Sequence, residues 1–271
     1  MSKNYDAFAL KMIAIIGMAM QHTVLVLGEL IPTALHFPLQ FGGGFTFPIM
    51  AFFLVEGYRH TRNFKKYATR IFIFALISQV PHMMSLGTID MGFNFFLGNI
   101  MFTLFVGLVI LWMYDNMKKR WLFWLLFVLL SFITLACDWG LIGPVMILLY
   151  HTIKTEKLKR TVVPFLAFWF NIIVIVGIAF VVGLAVAMGE ILGDPDLMYA
   201  FEQADDINLF HAFAGFLFPV GMLASIPILR RFNGERGRSM KYLFYAFYPL
   251  HLLAIALLAY VLGVNESLIP W

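Results

Sequence analysis

Charged residues are scarce in this chain. Only 13% of its 271 residues are Asp, Glu, Lys or Arg, and 62% are hydrophobic. Soluble globular proteins carry roughly 25% charged residues, and the mean hydropathy of +0.87 also lies far outside the soluble range. These values exclude a soluble globular protein and indicate an integral membrane protein. Because no linker, internal repeat or polar segment divides the chain, residues 1–271 are expected to form a single transmembrane domain.

Cysteine and metal-binding patterns are also lacking. The single cysteine, Cys137, excludes an intramolecular disulfide. Five of the seven histidines occupy scattered loop or helix-end positions, namely His36, His60, His82, His151 and His211. They do not show the spacing of metal ligands, so no metal cofactor is expected. The glycine-rich segment 41–45 lacks the lysine and the following Ser or Thr of a phosphate-binding loop, and we interpret it as a flexible entry to the second apolar helix.

Basic residues are missing from alternate loops. Nine apolar stretches are candidates for membrane helices: about 7–27, 45–58, 67–86, 95–114, 121–137, 139–152, 162–189, 208–229 and 241–263. With the N-terminus in the cytoplasm, all 19 lysines and arginines lie on the cytoplasmic side, whereas Glu29, Asp90 and Asp138 lie in outer loops. One miscounted helix would place every later loop on the opposite side of the membrane and would destroy this separation of charge. We therefore predict an all-α bundle of about nine transmembrane helices, with the N-terminus inside and the C-terminus outside.

The net charge of +4 follows from the same distribution. Lys and Arg of membrane proteins collect in cytoplasmic loops, where they contact lipid head groups. An excess of them therefore indicates the orientation of the chain in the membrane before it indicates an anionic partner. Membrane lipids are therefore expected contacts, and no nucleic-acid partner is expected.

The first apolar stretch, 7–27, carries two ionisable side chains on one face. Lys11 and His22 are eleven residues apart, which at ~100° and ~1.5 Å per residue places them on the same side of a helix, about 16 Å apart in height. Ionisable groups inside a membrane usually face a bundle interior or a wet cavity. His22 is therefore a candidate base or acyl carrier. A histidine that is simply hydrogen-bonded between helices is an equally weighted alternative.

A second intramembrane histidine lies at a similar predicted depth. His251 follows Pro249 in the last apolar stretch, and the proline frees a backbone carbonyl group that must find another partner. Two histidines at one depth favour a shared polar cavity over two separate packing residues. Asp138, in an Asp-Trp-Gly turn on the outer side, is a candidate for lining an acceptor cleft, with helix capping as the alternative.

Basic side chains also cluster at the cytoplasmic end of the second apolar stretch. Arg59 and Arg62 are neighbours on a helix, and their guanidinium groups suit phosphate oxygens. The other members of the cluster are Glu56, His60, Lys65 and Lys66. One hypothesis is a cytoplasmic anchor for a phosphorylated cofactor. The alternative, which composition favours, is a positively charged anchor that contacts lipid head groups.

Several motifs resemble those of the TraX family of membrane proteins. They are Leu10-Lys-Met-Ile-Ala, Gln21-His22, the segment 47–57 (FPIMAFFLVEG), His60-Thr-Arg-Asn63, Ile77-Ser-Gln-Val-Pro81, Asn99-Ile-Met-Phe-Thr103, Asp138-Trp-Gly140 and Tyr248-Pro-Leu-His251. TraX proteins are associated with N-terminal acetylation of conjugative pilin. The family is similar to the larger group of membrane acyltransferases, whose first helix carries a basic residue, ten intervening residues and a histidine. Lys11 and His22 have that spacing.

The resemblance implies a multi-pass acetyltransferase of the bacterial cytoplasmic membrane that uses acetyl-CoA. The phosphates of the donor would bind Arg59, Arg62 and their neighbours, the pantetheine arm would pass Lys11, and the thioester would meet His22. In this chain Gln21 stands where the family usually has Asp, and Gly44 stands where it usually has Arg.

The acceptor implied by the resemblance lies outside the cytoplasm. It is a cell-envelope glycan, through a hydroxyl or amino group, or a protein N-terminus. His251, Tyr248 or Asp138 would orient it while His22 acts as base or briefly carries the acetyl group.

Two other classes of function compete with acetyl transfer. In a transporter or channel, His22, His251 and Glu56 would form a proton or solute path, although the sequence shows no inverted repeat. In a non-catalytic assembly partner of a pilus or secretion system, His22 would be dispensable. Only the acetyltransferase needs coenzyme A, so binding of that cofactor separates the alternatives.

Overall fold

A computed structural model of the protein describes residues 5–85, 98–192 and 209–264. Within these ranges the chain forms α-helices joined by short turns, and the only β contacts are two isolated bridges. The helices are α1 (Ala7–Leu27), α2 (Thr33–Gly44), α3 (Thr46–His60), α4 (Phe64–Ser85), α5 (Ile100–Asn116), α6 (Arg120–Ile133), α7 (Ile142–Thr152), α8 (Glu156–Leu192), α9 (Leu209–Arg230) and α10 (Lys241–Val261). The predicted all-α class is confirmed.

Each of the nine predicted apolar stretches contains one of these helices. Among the residues that the structure describes, four helical segments are long and apolar enough to cross a membrane: Ala7–Leu30, Thr33–His60, Glu156–Val181 and Tyr242–Val261. Four shorter apolar helices accompany them. The predicted outer loops around Asp90 and over 193–208 lie outside the described residues. The count of nine crossings and the orientation therefore stay predictions.

The glycine-rich segment after residue 40 is helical, so its interpretation as a flexible entry was wrong. Helix α2 continues through Gly44, and only Phe45 separates it from α3. A Cβ atom at Gly43 would meet the side chain of Gln21 on α1, and one at Gly44 would meet the backbone of Gly221 on α9. Small residues let membrane helices approach at this distance. The neighbouring helices, rather than local propensity, hold the glycines in helical form.

Replacement of Gly44 tests this packing. A Cβ atom there would lie 2.8 Å from the Gly221 Cα atom and would overlap the Phe218 carbonyl oxygen, so α2 and α9 would have to separate. We expect Gly44→Ala to lower the free energy of unfolding by about 1–3 kcal/mol. Gly177→Ala is the matched control, because a Cβ atom at Gly177 meets no atom within 4 Å. Thermal unfolding in detergent measures both variants, and equal loss of stability would contradict the packing argument.

Helix α3 lies at the centre of the bundle. Residues 46–49 and 51–55 are all buried, and α3 packs against α1, α5 and α7. One end of the bundle, here called the inner end, contains the start of α1 and the ends of α3, α7 and α9. Three contacts define it: Ala7 N donates to the Glu235 carbonyl oxygen, Arg59 reaches the end of α7, and Tyr5 pairs with Phe232. In the predicted orientation the inner end faces the cytoplasm.

Candidate active site

A cavity of about 550 Å³ opens in the half of the bundle away from the inner end. Its walls come from α1, α2, α3, α5, α7, α8, α9, α10 and the turn before α7. Most of the lining is apolar. The polar side chains that line it are Gln21, His22, Thr46, Asp138, Trp139, Asn171 and Tyr248. Three of the predicted catalytic residues, His22, Asp138 and Tyr248, are therefore brought together.

The two predicted membrane histidines are hydrogen-bonded to each other. His251 Nε2 lies 3.0 Å from His22 Nδ1, and the two ring centroids are 5.0 Å apart. His251 Nδ1 lies 2.8 Å from the carbonyl oxygen of Phe247, and its ring stacks on that phenylalanine at 4.7 Å. His22 is on the cavity wall, and His251 supports it from behind. The two histidines therefore contact each other between α1 and α10 and do not pack independently.

These contacts determine which nitrogen carries each proton in the neutral pair. The Phe247 carbonyl oxygen can only accept, so His251 donates from Nδ1 and its Nε2 is an acceptor. His22 therefore donates from Nδ1 to His251, and His22 Nε2 keeps its lone pair. No described residue forms a hydrogen bond of normal geometry with that Nε2, although the Met18 backbone carbonyl group interacts with the His22 imidazole. A basic nitrogen is thus available at the wall of the cavity.

The Asp138-Trp139-Gly140 turn adopts an unusual backbone. Trp139 has φ +66° and Gly140 has φ +28°, and a bulky residue in the left-handed region costs about 1–3 kcal/mol. The Trp139 ring is held by stacking on Phe47, with ring centroids 4.4 Å apart and planes 15° apart. It also contacts Phe218 at 5.3 Å. Strain of this kind is retained at functional sites when the surrounding structure fixes it, and here the strained turn forms part of the cavity wall.

Asp138 and Tyr248 lie beside the start of α5. The Asp138 carboxylate interacts with the Ile100 backbone amide, the favoured place for negative charge on a helix, and lies close enough to His82 for an electrostatic interaction. Burial raises the pKa of Asp138 above its usual value despite these contacts. The buried Tyr248 hydroxyl makes no hydrogen bond of normal geometry, although Asp138 is close enough to interact with it. Sequence analysis had placed His82 among scattered histidines and missed its position here.

Lys11 lines a second, narrower cavity of about 110 Å³. This cavity adjoins the first on the side of the inner end. On α5, Met101 lines the second cavity and Ile100 the first, while on α10 Tyr245 lines the second and Tyr248 the first. The predicted succession of lysine and histidine along one helix face therefore corresponds to two stacked cavities.

A family model described as TraX protein matches residues 7–259. The chain belongs to the TraX family. The probable fimbrial assembly protein FimC, serogroup H1, of Dichelobacter nodosus is 31% identical to it over 262 residues, which cover 93% of this chain and 96% of that protein. No solved structure matches the chain. The resemblance inferred from the motifs is confirmed.

Gln21 and Gly44, the two positions at which the motifs led us to expect other residues, are both closely packed. Gln21 lines the cavity next to His22, and its side chain occupies the space beside Gly43. Gly44 leaves no room for any side chain, because a Cβ atom would overlap the carbonyl oxygen of Phe218. The arginine that the resemblance led us to expect at position 44 would not fit this packing.

The TraX motif at the end of α3 supplies an arginine that is already engaged. Arg59 Nη2 donates to the carbonyl oxygen of His151 at 2.9 Å, and Arg59 Nη1 lies 3.3 Å from Glu56 Oε1. The same carboxylate oxygen accepts from Lys159 Nζ at 3.1 Å. Arg59 and Glu56 thus connect the ends of α3 and α7 to the start of α8.

The remaining predicted phosphate-binding residues are exposed. Arg62 lines a third cavity, of about 400 Å³, at the inner end. His60 Nδ1 contacts a backbone carbonyl oxygen of its own helix at 2.8 Å. Lys65 and Lys66 lie in the first turn of α4, facing solvent. Binding of a phosphorylated cofactor by these residues stays a prediction.

Sequence analysis missed two buried cations, Lys159 and Arg160. Both were assigned to a cytoplasmic loop, whereas α8 begins at Glu156 and the Lys159 side chain is fully buried. Lys159 Nζ lies 2.6 Å from Glu156 Oε1, and Arg160 Nη2 lies 2.9 Å from Glu156 Oε2. The spacing of three and four residues from Glu156 was the available signal.

Proposed function

We propose that the protein is an acetyltransferase that moves an acetyl group from cytoplasmic acetyl-CoA to an acceptor on the outer side of the membrane. One observation carries the proposal: His22, hydrogen-bonded to His251, keeps a free Nε2 at the wall of the 550 Å³ cavity. Membership of the TraX family supports it, because TraX proteins are associated with pilin acetylation. The fimbrial assembly name of the D. nodosus relative favours a fimbrial subunit N-terminus over a glycan as acceptor.

The proposed chemistry uses His22 as general base. Its Nε2 takes a proton from the amino or hydroxyl group of the acceptor while that group attacks the thioester carbonyl carbon. A C–N or C–O bond forms and the C–S bond breaks. The proton then passes from His22 to the departing thiolate, so that coenzyme A leaves as the free thiol. The hydrogen bond to His251 holds the imidazole in the required tautomer.

Two other side chains have proposed roles in the same step. The Tyr248 hydroxyl, which lacks a hydrogen bond of normal geometry, would donate to the carbonyl oxygen as negative charge develops on it. Asp138 would accept a hydrogen bond from the attacking group and so orient it. Both line the cavity together with His22.

The acceptor and the donor would approach from opposite sides. His22 lies about 22 Å along α1 from its first residue, at ~1.5 Å per residue, hence in the outer half of the predicted membrane. The second cavity lies between that level and the inner end, and its narrow apolar section suits a pantetheine chain. The donor thioester would therefore rise from the inner end to the acceptor.

Thermal unfolding with and without acetyl-CoA tests the proposed function. A ligand at a hundredfold excess over its dissociation constant stabilises the folded protein by about 2.7 kcal/mol, so we expect a clear rise in melting temperature. ATP at the same concentration controls for nonspecific binding of phosphate. A well-folded sample that acetyl-CoA does not stabilise, or that ATP stabilises equally, would contradict the proposal.

A non-catalytic role in fimbrial assembly is the second candidate, because the relative carries that name. Such a protein needs neither acetyl-CoA nor a basic nitrogen at His22. The thermal test therefore separates it from the acetyltransferase, as it also separates a transporter.

A further inference from the structure

The basic residues of the inner end fall into two groups. The first group is already neutralised: Arg59, Lys159 and Arg160 each contact the carboxylate of Glu56 or Glu156 within 4 Å. Arg59 also donates to a helix-end carbonyl. A phosphate group would have to displace these partners before it could bind there.

The second group consists of Lys11, which lines the second cavity, and of Arg70 and Arg236, which interact with residues of its wall. Lys11 Nζ lies 5.1 Å from the ring centroid of Phe53, on the cavity wall. The Arg70 guanidinium is held between two tyrosines of the same wall, 5.7 Å from the Tyr67 ring and 5.6 Å from the Tyr245 ring. Its Nε atom is buried and has no hydrogen-bond partner.

Arg236 completes this group from the turn between α9 and α10. It is exposed, its charge acts on Lys11, and its Nη2 donates to Ser239. Among the residues that the structure describes, no carboxylate lies within ion-pair distance of Lys11, Arg70 or Arg236. Two carboxylates belong to this region: Glu235 Oε2, in the turn, accepts from Asn233 Nδ2 at 3.0 Å, and the Asp6 carboxylate accepts from Ala9 N at the start of α1.

We infer that Lys11, Arg70 and Arg236 receive the phosphate groups of the acyl donor at the mouth of the second cavity. Lys11 and Arg236 repel each other, and no carboxylate of the described residues forms an ion pair with them or with Arg70, so a polyanion would compensate their charges. Arginine held in a fixed orientation by aromatic rings pairs well with phosphate oxygens. The site replaces Arg59 as the main anchor, and it rests on the proposed use of acetyl-CoA.

The position of this site fits the length of the donor. An extended pantetheine chain has about a dozen bonds between the phosphate ester and the sulfur atom, which at ~1.25 Å advance per bond span roughly 15 Å. Lys11 and His22 differ in height by about 16 Å along α1. A donor whose phosphates lie at Lys11 therefore brings its thioester to His22.

Binding measurements on the full-length protein test the inference. Titration calorimetry in detergent compares coenzyme A with S-acetylpantetheine, which has the same arm but no phosphate. We expect Arg70→Gln and Arg236→Gln each to weaken coenzyme A binding about tenfold or more and to leave S-acetylpantetheine binding unchanged. Arg231→Gln, an exposed arginine at the start of the same turn, is the matched control and should bind as wild type. Arg70→Lys, which keeps the charge, should recover part of the loss.

Three results would overturn the assignment. If Arg70→Gln binds coenzyme A as wild type while Arg62→Gln does not, the phosphates lie in the third cavity and the proposed acetyltransferase stands. If Arg70→Gln weakens both ligands equally, Arg70 only supports the fold. If the folded wild-type protein binds neither ligand, the phosphate site and the proposed function both fail.

Discussion

Replacing His22 with alanine is expected to abolish acetyl transfer while the protein stays folded. A general base contributes about 10²–10⁴-fold to a rate, and no other described side chain presents an unpartnered imidazole nitrogen to the cavity. The measurement is the rate at which label passes from acetyl-CoA to an acceptor in membranes that contain the variant. Binding of coenzyme A should survive, because the proposed phosphate site lies about 16 Å away.

Ile16→Ala provides the control for this substitution. Ile16 lies on α1 as well, its side chain is 54% exposed, and it does not line the cavity. We expect the control to transfer acetyl groups at close to the wild-type rate. A folded His22→Ala variant with full activity would refute the assignment of His22 as base.

Among the substitutions proposed here, removing Lys159 is expected to lower the free energy of unfolding the most. Its ammonium group is fully buried and lies within 3.1 Å of Glu56 and 2.6 Å of Glu156. Replacing one partner of a buried ion pair typically costs about 3–5 kcal/mol, because the other charge is left uncompensated. Glu56 keeps its contact with Arg59, and the half-exposed Glu156 keeps its contact with Arg160, so we expect the effect of Lys159→Met to lie near the lower limit. Unfolding in detergent, monitored by circular dichroism, measures the change.

Lys157→Met is the matched control, since Lys157 is an exposed lysine on the same turn of α8. Its effect should stay within about 0.5 kcal/mol. If the two lysine variants unfold at the same temperature, the buried network does not stabilise the inner end.

The sequence was sufficient to locate nine of the ten described helices, all except α2, and the histidine pair. Apolar stretches of membrane length predicted the positions of α1 and α10 directly. Equal depth, estimated from helix rise, then predicted that His22 and His251 would share a polar site, and they contact each other. Both inferences depend only on the regular geometry of a single helix, which can be calculated from positions in the sequence.

Features that depend on contacts between helices could not be predicted in this way. Helix α2 passes through three glycines because α1 and α9 pack against them, and no local signal reports those partners. Lys159 reaches Glu56 across 103 residues of sequence. The tyrosines that hold Arg70 come from α4 and α10. Charge patterns alone therefore could not separate Arg59, which contacts two carboxylates, from Arg70, which has tyrosine partners and no ion pair with any described residue.

The most direct test of the account is the side of the membrane on which the acetyl group arrives. Inverted cytoplasmic-membrane vesicles from cells that make the protein expose the inner end to added acetyl-CoA carrying a labelled acetyl group. We predict that label accumulates on acceptors facing the vesicle lumen, with wild-type protein and not with His22→Ala. Equal lumenal label with both proteins, or none with a folded wild-type protein, would contradict acetyl transfer through this site.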